Sequence, residues 1–223
     1  MTSHPVDDAA LVARCEALGL TVATAESLTA GGLCSRFAEV PGVSSVLRGA
    51  VVSYTNEVKA ELLGVDAEVL GTSGAVDPEV ARQMACGAVS RLRADVGLST
   101  TGVAGPEPHQ GKPVGTVWIG AALRRESADG HSRLSLPSDT PAGATWQSRR
   151  LSVPPAPGQG LHGTSQHLSV QYIAVQYIAV QCIAVPCHLS GDRAEIRAGA
   201  VEAALRLFRD LLGGIAAETS TVQ

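Results

Sequence analysis

Ser27 stands where a β-like run gives way to a helical pattern. Thr21-Val-Ala-Thr-Ala25 reads as a strand, Glu26-Ser27 breaks it, and Thr29 and Gly31-Gly32 lead into a helical stretch from Leu33 to Val40. A strand feeding a helix through small residues puts the serine at the strand's carboxyl end, beside the helix's unpaired backbone N–H groups. Such a turn can hold an oxyanion or a phosphate. The same residues can equally do no more than cap a helix. Two further hydroxyls occupy comparable points. Tyr54 follows the apolar run Val46 to Ser53, and Thr101 follows Val96 to Thr100 and opens Thr101-Gly-Val-Ala-Gly-Pro106. Ligands of open α/β sheets sit beyond the carboxyl ends of the strands. If these three strands are parallel neighbours, the hydroxyls of Ser27, Tyr54 and Thr101 converge.

The elements that would position them alternate along the chain. Residues 7–18 predict a helix, with Leu11, Cys15 and Leu18 on one face and Gly19 as C-cap. Pro41-Gly42 ends the helix after Ser27. Asn56 can cap a short helix that carries Lys59 and closes at Gly64; Asp66 opens another turn, and Gly71-Thr-Ser-Gly74 reads as a loop. Asp77-Pro78 is a helix start, an N-cap followed by proline at the first helical position. Gly115 to Leu123 is continuously apolar, as a buried strand is. Asp192-Arg-Ala-Glu195 has capping-box spacing, and a stripe of Ile196, Val201, Leu205, Phe208 and Leu212 runs to a stop at Gly213-Gly214. Strands alternating with helices imply a three-layer α/β domain.

Composition narrows the function. The 223 residues are 45% hydrophobic, enough for one domain with a real core. A net charge of −4 and 3% aromatic content argue against direct nucleic-acid binding, by charge or by base stacking. Cysteines at 15, 34, 86, 182 and 187 form no C-x-x-C pair, and His188 beside Cys187 does not complete a zinc shell. No metal or cofactor is expected. The start lacks a basic and apolar leader, and no apolar run reaches membrane-spanning length, so the expectation is a cytoplasmic protein with no membrane partner.

Residues from about 125 to 187 break the pattern. Pro137 to Gly163 is rich in Pro, Gly, Ser, Thr and Gln, which predicts loop or disorder. Then Val170-Gln-Tyr-Ile-Ala repeats at Val175 and, with Cys for Tyr, at Val180. A period of five matches neither strand nor helix. With high β propensity and no charge from Leu168 to His188, the segment is an aggregation hazard if exposed. No catalytic role is assigned to it.

Four blocks read together carry a family resemblance: Ala25-Glu-Ser-Leu-Thr-Ala-Gly-Gly32, Tyr54-Thr-Asn-Glu-Val-Lys59, Gly74-Ala-Val-Asp-Pro-Glu-Val-Ala81, and Thr101-Gly-Val-Ala-Gly-Pro106 with Lys112-Pro-Val-Gly-Thr-Val-Trp118. They resemble the C-terminal domain of the CinA family, the nicotinamide-nucleotide amidases. The resemblance covers about 7–124 and resumes at about 188–212, where Leu189-Ser-Gly-Asp-Arg-Ala-Glu-Ile-Arg looks like the family's last strand and helix. It implies a single domain over 1–223, a three-layer α/β/α sandwich on a five-stranded mixed sheet, interrupted by a long irregular insertion at about 125–187. Arg133 to Leu136 is a competing copy of an edge strand. It also implies hydrolysis of the carboxamide of nicotinamide mononucleotide to nicotinate mononucleotide and ammonia, and a homodimer.

By the same resemblance Ser27 is the nucleophile, with Lys59, Tyr54 and Thr101 around it. An amide needs an activated nucleophile and a site for the oxyanion. Lys59 can take the Ser27 proton only when neutral, so burial or a nearby cation must lower its pKa by roughly two to three units. Tyr54 or Thr101 would relay the proton or orient Ser27. Substrate contacts are expected from Glu26, Leu28, Thr29, Ala30, Gly31, Asn56 and Gly105, with backbone N–H groups of 28–31 on the oxyanion and Thr29 and Gly105 near the phosphate; Lys112 is a further charge candidate. The alternative is a non-catalytic competence- or DNA-damage-associated binding module, favoured if the insertion spoils the sheet.

Overall fold

The computed structural model describes residues 6–125, 147–152 and 177–220. In chain order these form α1 (Asp8–Leu18), β1 (Val22–Glu26), α2 (Gly32–Ala38), a 3₁₀ turn at Val43–Ser45, β2 (Leu47–Val52), α3 (Asn56–Leu63), α4 (Ala67–Ser73), α5 (Pro78–Leu92), β3 (Val96–Gly102), β4 (Thr116–Arg125), β5 (Gln147–Ser152), β6 (Tyr177–His188) and α6 (Arg193–Ser220). The strands make one mixed sheet in the order β2-β1-β3-β4-β6-β5. β1 pairs in parallel with both β2 and β3, and the remaining pairs are antiparallel.

Helices cover both faces. Leu11 and Cys15 of α1, Leu33 and Phe37 of α2, and Ile196, Leu205 and Phe208 of α6 pack on Val22, Val96, Leu98 and Ile119. Phe37 and Phe208 meet edge to face, ring centres 5.8 Å apart. On the opposite face Leu63 of α3, Leu70 of α4 and Val80, Met84 and Ala88 of α5 pack on Ala23 and Ala25. β1 therefore sends Val22 one way and Ala23 the other, as strand alternation requires, and all five of its residues are buried. Gly97 permits the close approach of α5: a Cβ there would stand 2.2 Å from the Ala85 carbonyl oxygen. The α/β/α architecture and mixed sheet agree with the sequence reading.

The insertion departs from it. Residues 147–152 lie within the stretch read as loop, yet they form β5 and add a sixth strand at the edge. The last repeat copy lies within β6, and the final strand ends at His188 rather than starting at Leu189. The five-residue period is no obstacle because both faces of β6 are covered. Val180 and Cys182 pack with Ala85, Cys86 and Val89 of α5. Ile183, Val185 and Cys187 pack with the cluster under α6. A strand buried on both sides needs no polar alternation. Pro186 falls in the half of β6 that β5 does not reach, where its missing N–H breaks no ladder on that side. Arg133 to Leu136 lies outside the described residues.

Three boundaries also differ. Gly71 to Ser73 continue α4. Thr55, not Asn56, caps α3, its hydroxyl accepting from Val58 N–H. α6 runs through Gly213-Gly214 to Ser220. Glycine costs about 1 kcal/mol in a helix interior, which buried Leu211 and Leu212 just before it offset.

Candidate active site

Ser27 follows β1 directly, and its N–H donates to the Thr100 carbonyl at 2.9 Å, extending the parallel pairing with β3 by one residue. The chain then turns sharply. Ala30 and Gly31 take left-handed φ values of 51° and 93°, and Ala30 N–H closes back on the Ser27 carbonyl at 3.1 Å. Gly31 suits this conformation because it has no Cβ.

Glu26 holds the turn from inside. Its carboxylate is fully buried and accepts from the N–H groups of Gly31, Leu33 and Cys34 at 2.9, 3.0 and 2.8 Å. The Thr24 and Thr29 hydroxyls donate to it at 2.9 and 2.8 Å. A negative charge at a helix N-terminus is favourable, and here it engages the donors that would otherwise be free for a ligand. Four of the expected substrate contacts thus have roles inside the turn instead. Glu26 and Gly31 serve each other. Thr29 is buried, its hydroxyl shared between Glu26 and Thr100. Ala30 turns the chain.

Lys59 reaches Ser27 from α3. Its side chain is fully buried, and Nζ lies 3.1 Å from Ser27 Oγ, 2.8 Å from the Ser53 carbonyl oxygen and 3.5 Å from that of Tyr54. No carboxylate pairs with it among the described residues. Burial accordingly lowers its pKa from 10.5 to about 8. Carbonyl oxygens only accept, and a neutral amine has two N–H bonds and one lone pair. With its N–H bonds on Ser53 and Tyr54, the lone pair is left for the Ser27 hydroxyl. That is the geometry a general base needs.

β2, β1 and β3 are parallel neighbours, so the three strand-end hydroxyls do converge. Ser27, Tyr54 and Thr101 line one pocket of about 370 Å³, with Leu28, Gly105 and Arg193. That is within the ~300–1,000 Å³ usual for small-molecule sites. Neither Tyr54 nor Thr101 bonds to Ser27. Thr101 Oγ1 donates to the Ala75 carbonyl at 2.7 Å. Tyr54 is largely exposed, and its hydroxyl accepts from Arg193 Nη2 at 2.9 Å. The expected proton relay is thus not assembled, although both residues shape the pocket. Asn56 and Lys112 lie off its lining, and Lys112 exchanges backbone hydrogen bonds with His109.

Arg193 was missed by the sequence reading, which gave it only a place in a capping box. It bridges two parts of the rim, with Nη1 donating to the Gly105 carbonyl at 2.6 Å and Nη2 to Tyr54. Nothing in its local spacing marks it, because its partners lie 88 and 139 residues away. Glu107 and His109 were also missed and line the same pocket from a polar loop. Among the described residues no three His, Cys, Asp or Glu side chains are grouped to hold a metal ion, and no helix is long and apolar enough to cross a membrane.

Comparison with known proteins finds relatives for the chain and its fold. The family model described as the CinA C-terminal domain matches residues 7–142. A CinA-like protein of Frankia casuarinae is 50% identical over 128 residues, covering 56% of this chain and 29% of that protein. A putative competence-damage inducible protein of Geobacillus is 46% identical over 122 residues, covering 55% and 29%. The matched stretch thus spans under a third of those relatives' length. Among solved structures, the competence/damage inducible protein CihA of Agrobacterium tumefaciens is 28% identical with a TM-score of 0.62, covering 95% of this chain and 99% of that one. A CinA superfamily protein of Escherichia coli is 26% identical with a TM-score of 0.63, covering 92% and 87%.

Proposed function

We propose that this chain, which belongs to the family of CinA C-terminal domains, is an amidohydrolase that converts nicotinamide mononucleotide to nicotinate mononucleotide and ammonia. The observation that carries the proposal is the contact of 3.1 Å between Lys59 Nζ and Ser27 Oγ, in surroundings that favour a neutral lysine. Ser27 Oγ attacks the carboxamide carbon while Lys59 takes its proton. The tetrahedral oxyanion collapses, the C–N bond breaks, and Lys59 returns the proton to the departing nitrogen as ammonia forms. Water then attacks the acyl-serine while Lys59 accepts one of its protons; the C–O bond to Ser27 breaks, Lys59 returns that proton to Ser27 Oγ, and the released acid gives its remaining proton to solvent as the carboxylate.

The pocket's composition suits this substrate. Arg193 gives the rim a cation for a phosphate. The positively charged pyridinium ring, held near Lys59, would favour the neutral amine further. The binding-module alternative keeps the same fold and pocket, and a sheet spoiled by the insertion would favour it. The continuous hydrogen-bonded sheet from β2 to β5 supports the enzyme reading instead. The deciding experiment is ammonia release from nicotinamide mononucleotide by wild type and Ser27→Ala. Turnover by the wild type and a loss on the order of 10³-fold or more in the variant are expected. A folded wild type with no turnover overturns the proposal.

A further inference from the structure

Arg197 of α6 grips the turn that carries Ser27. Its Nε donates to the Leu28 carbonyl at 3.0 Å and its Nη2 to the Thr29 carbonyl at 2.9 Å. The peptides between this guanidinium and Ser27 form a chain. The Thr29 carbonyl accepts from Arg197, and the N–H of the same peptide, that of Ala30, donates to the Ser27 carbonyl at 3.1 Å. The N–H of that next peptide belongs to Leu28, which lines the pocket. It makes no hydrogen bond to any described residue. A hydrogen bond to a carbonyl polarises its peptide and strengthens the N–H at the other end, so successive bonds reinforce one another. One positive charge therefore acts through two peptides on a free donor beside the nucleophile. The N–H after a catalytic serine is a common oxyanion donor. The N–H groups at the start of α2 cannot take that part, because Glu26 engages them.

We propose that Arg197 is a positioning residue: it fixes and polarises the Leu28 N–H as a donor to the oxyanion formed at Ser27. The inference rests on the amidase reading, and its test separates the two. Arg197→Gln and Arg197→Lys would be compared with wild type for kcat and KM on nicotinamide mononucleotide. A fluorophosphonate probe supplies a second measure. In that reaction Ser27 Oγ bonds to phosphorus, fluoride leaves with the P–F electron pair, and Lys59 takes the serine proton. The phosphoryl oxygen then occupies the oxyanion position.

Arg197→Gln is expected to lower kcat and the rate of probe capture by about 10- to 100-fold, with KM within about twofold. The midpoint of the pH profile should stay near that of wild type, since Lys59 is untouched. Arg197→Lys, which keeps the charge, should recover several-fold of both rates; it also carries the test if Arg197→Gln fails to fold. A rise in KM at constant kcat overturns the proposal. So does a Lys variant that folds but reacts no faster than the Gln variant, or rates that fall only as far as the folded fraction falls. A wild type captured by the probe at Ser27 yet releasing no ammonia defeats the amidase reading alone, and capture rates then decide the role of Arg197.

Discussion

Lys59 Nζ stands 3.1 Å from Ser27 Oγ, and its other hydrogen-bond partners are the carbonyls of Ser53 and Tyr54. Neither carbonyl carries a charge that would hold the ammonium form. With a pKa of about 8, roughly a tenth of the lysine is neutral at pH 7. The expected kcat/KM for amide hydrolysis therefore rises about tenfold per pH unit below 8 and levels above it. A profile flat from pH 6 to 9 would remove Lys59 as the base.

The same lysine costs stability. Its folded pKa, about 8, lies below its ordinary value of 10.5, so the unfolded chain binds more protons between those limits. The penalty is present in full below pH 8 and is relieved as pH rises from 8 to 10.5. It amounts to on the order of 3 kcal/mol. Lys59→Met, an apolar replacement of similar length, is expected to abolish turnover yet raise the melting temperature at pH 7. Denaturation of both proteins at pH 7 and pH 10 checks this, and the gap should narrow at the higher pH.

Glu26 does the reverse. Its carboxylate satisfies three backbone donors and two hydroxyls with no access to water. Glu26→Ala leaves those donors buried and unpaired and is expected to destabilise by about 3–5 kcal/mol. Urea denaturation measures it. A loss under 1 kcal/mol would mean that water replaces the carboxylate.

Arg193 bears on recognition rather than on bond breaking, since it contacts Tyr54 and Gly105 at the rim and not Ser27. Arg193→Gln is expected to raise KM for nicotinamide mononucleotide by about 10- to 100-fold, the worth of a charge-assisted contact to phosphate, with kcat changed little. Nicotinamide riboside, which lacks the phosphate, should be hydrolysed equally by both proteins. Equal loss on both substrates would place the arginine's role elsewhere.

The sequence marked Ser27 and the strand ends because that information is local. Ser27, Tyr54 and Thr101 each sit at a break between an apolar run and a polar turn, and parallel neighbours bring such breaks together. Asp77-Pro78 capped α5 as its chemistry demands. The long-range contacts were illegible. Glu26 read as a strand-ending polar residue, although its carboxylate is buried under α2. Arg193 and Arg197 looked like ordinary first-turn residues of α6, and only the packing of that helix brings them to the Ser27 turn and the pocket rim. The insertion misled for another reason. Composition measures whether a segment can fold alone, and β5 and β6 do not: they add to a sheet edge already formed by β4.

The repeat poses a register problem that one residue answers. Sliding β6 by five positions would set Val175-Gln-Tyr-Ile-Ala179 where Val180-Gln-Cys-Ile-Ala184 now lies, with a tyrosine in place of Cys182 as the sole change within that unit. Cys182 is buried and packs among Ala85, Cys86, Val89 and Ala122, a site of small side chains. A tyrosine overfills it, so the slipped register is disfavoured and the cysteine copy is selected. Cys182→Tyr is expected to destabilise by about 1–3 kcal/mol or more through overpacking, whereas Cys182→Ala, which only removes a sulfur, should cost about 1 kcal/mol. Chemical denaturation of the two variants distinguishes the readings. A tyrosine variant as stable as wild type would show that the strand accepts any copy of the repeat, and that its register is set instead by the Pro186–Trp118 pairing at the far end.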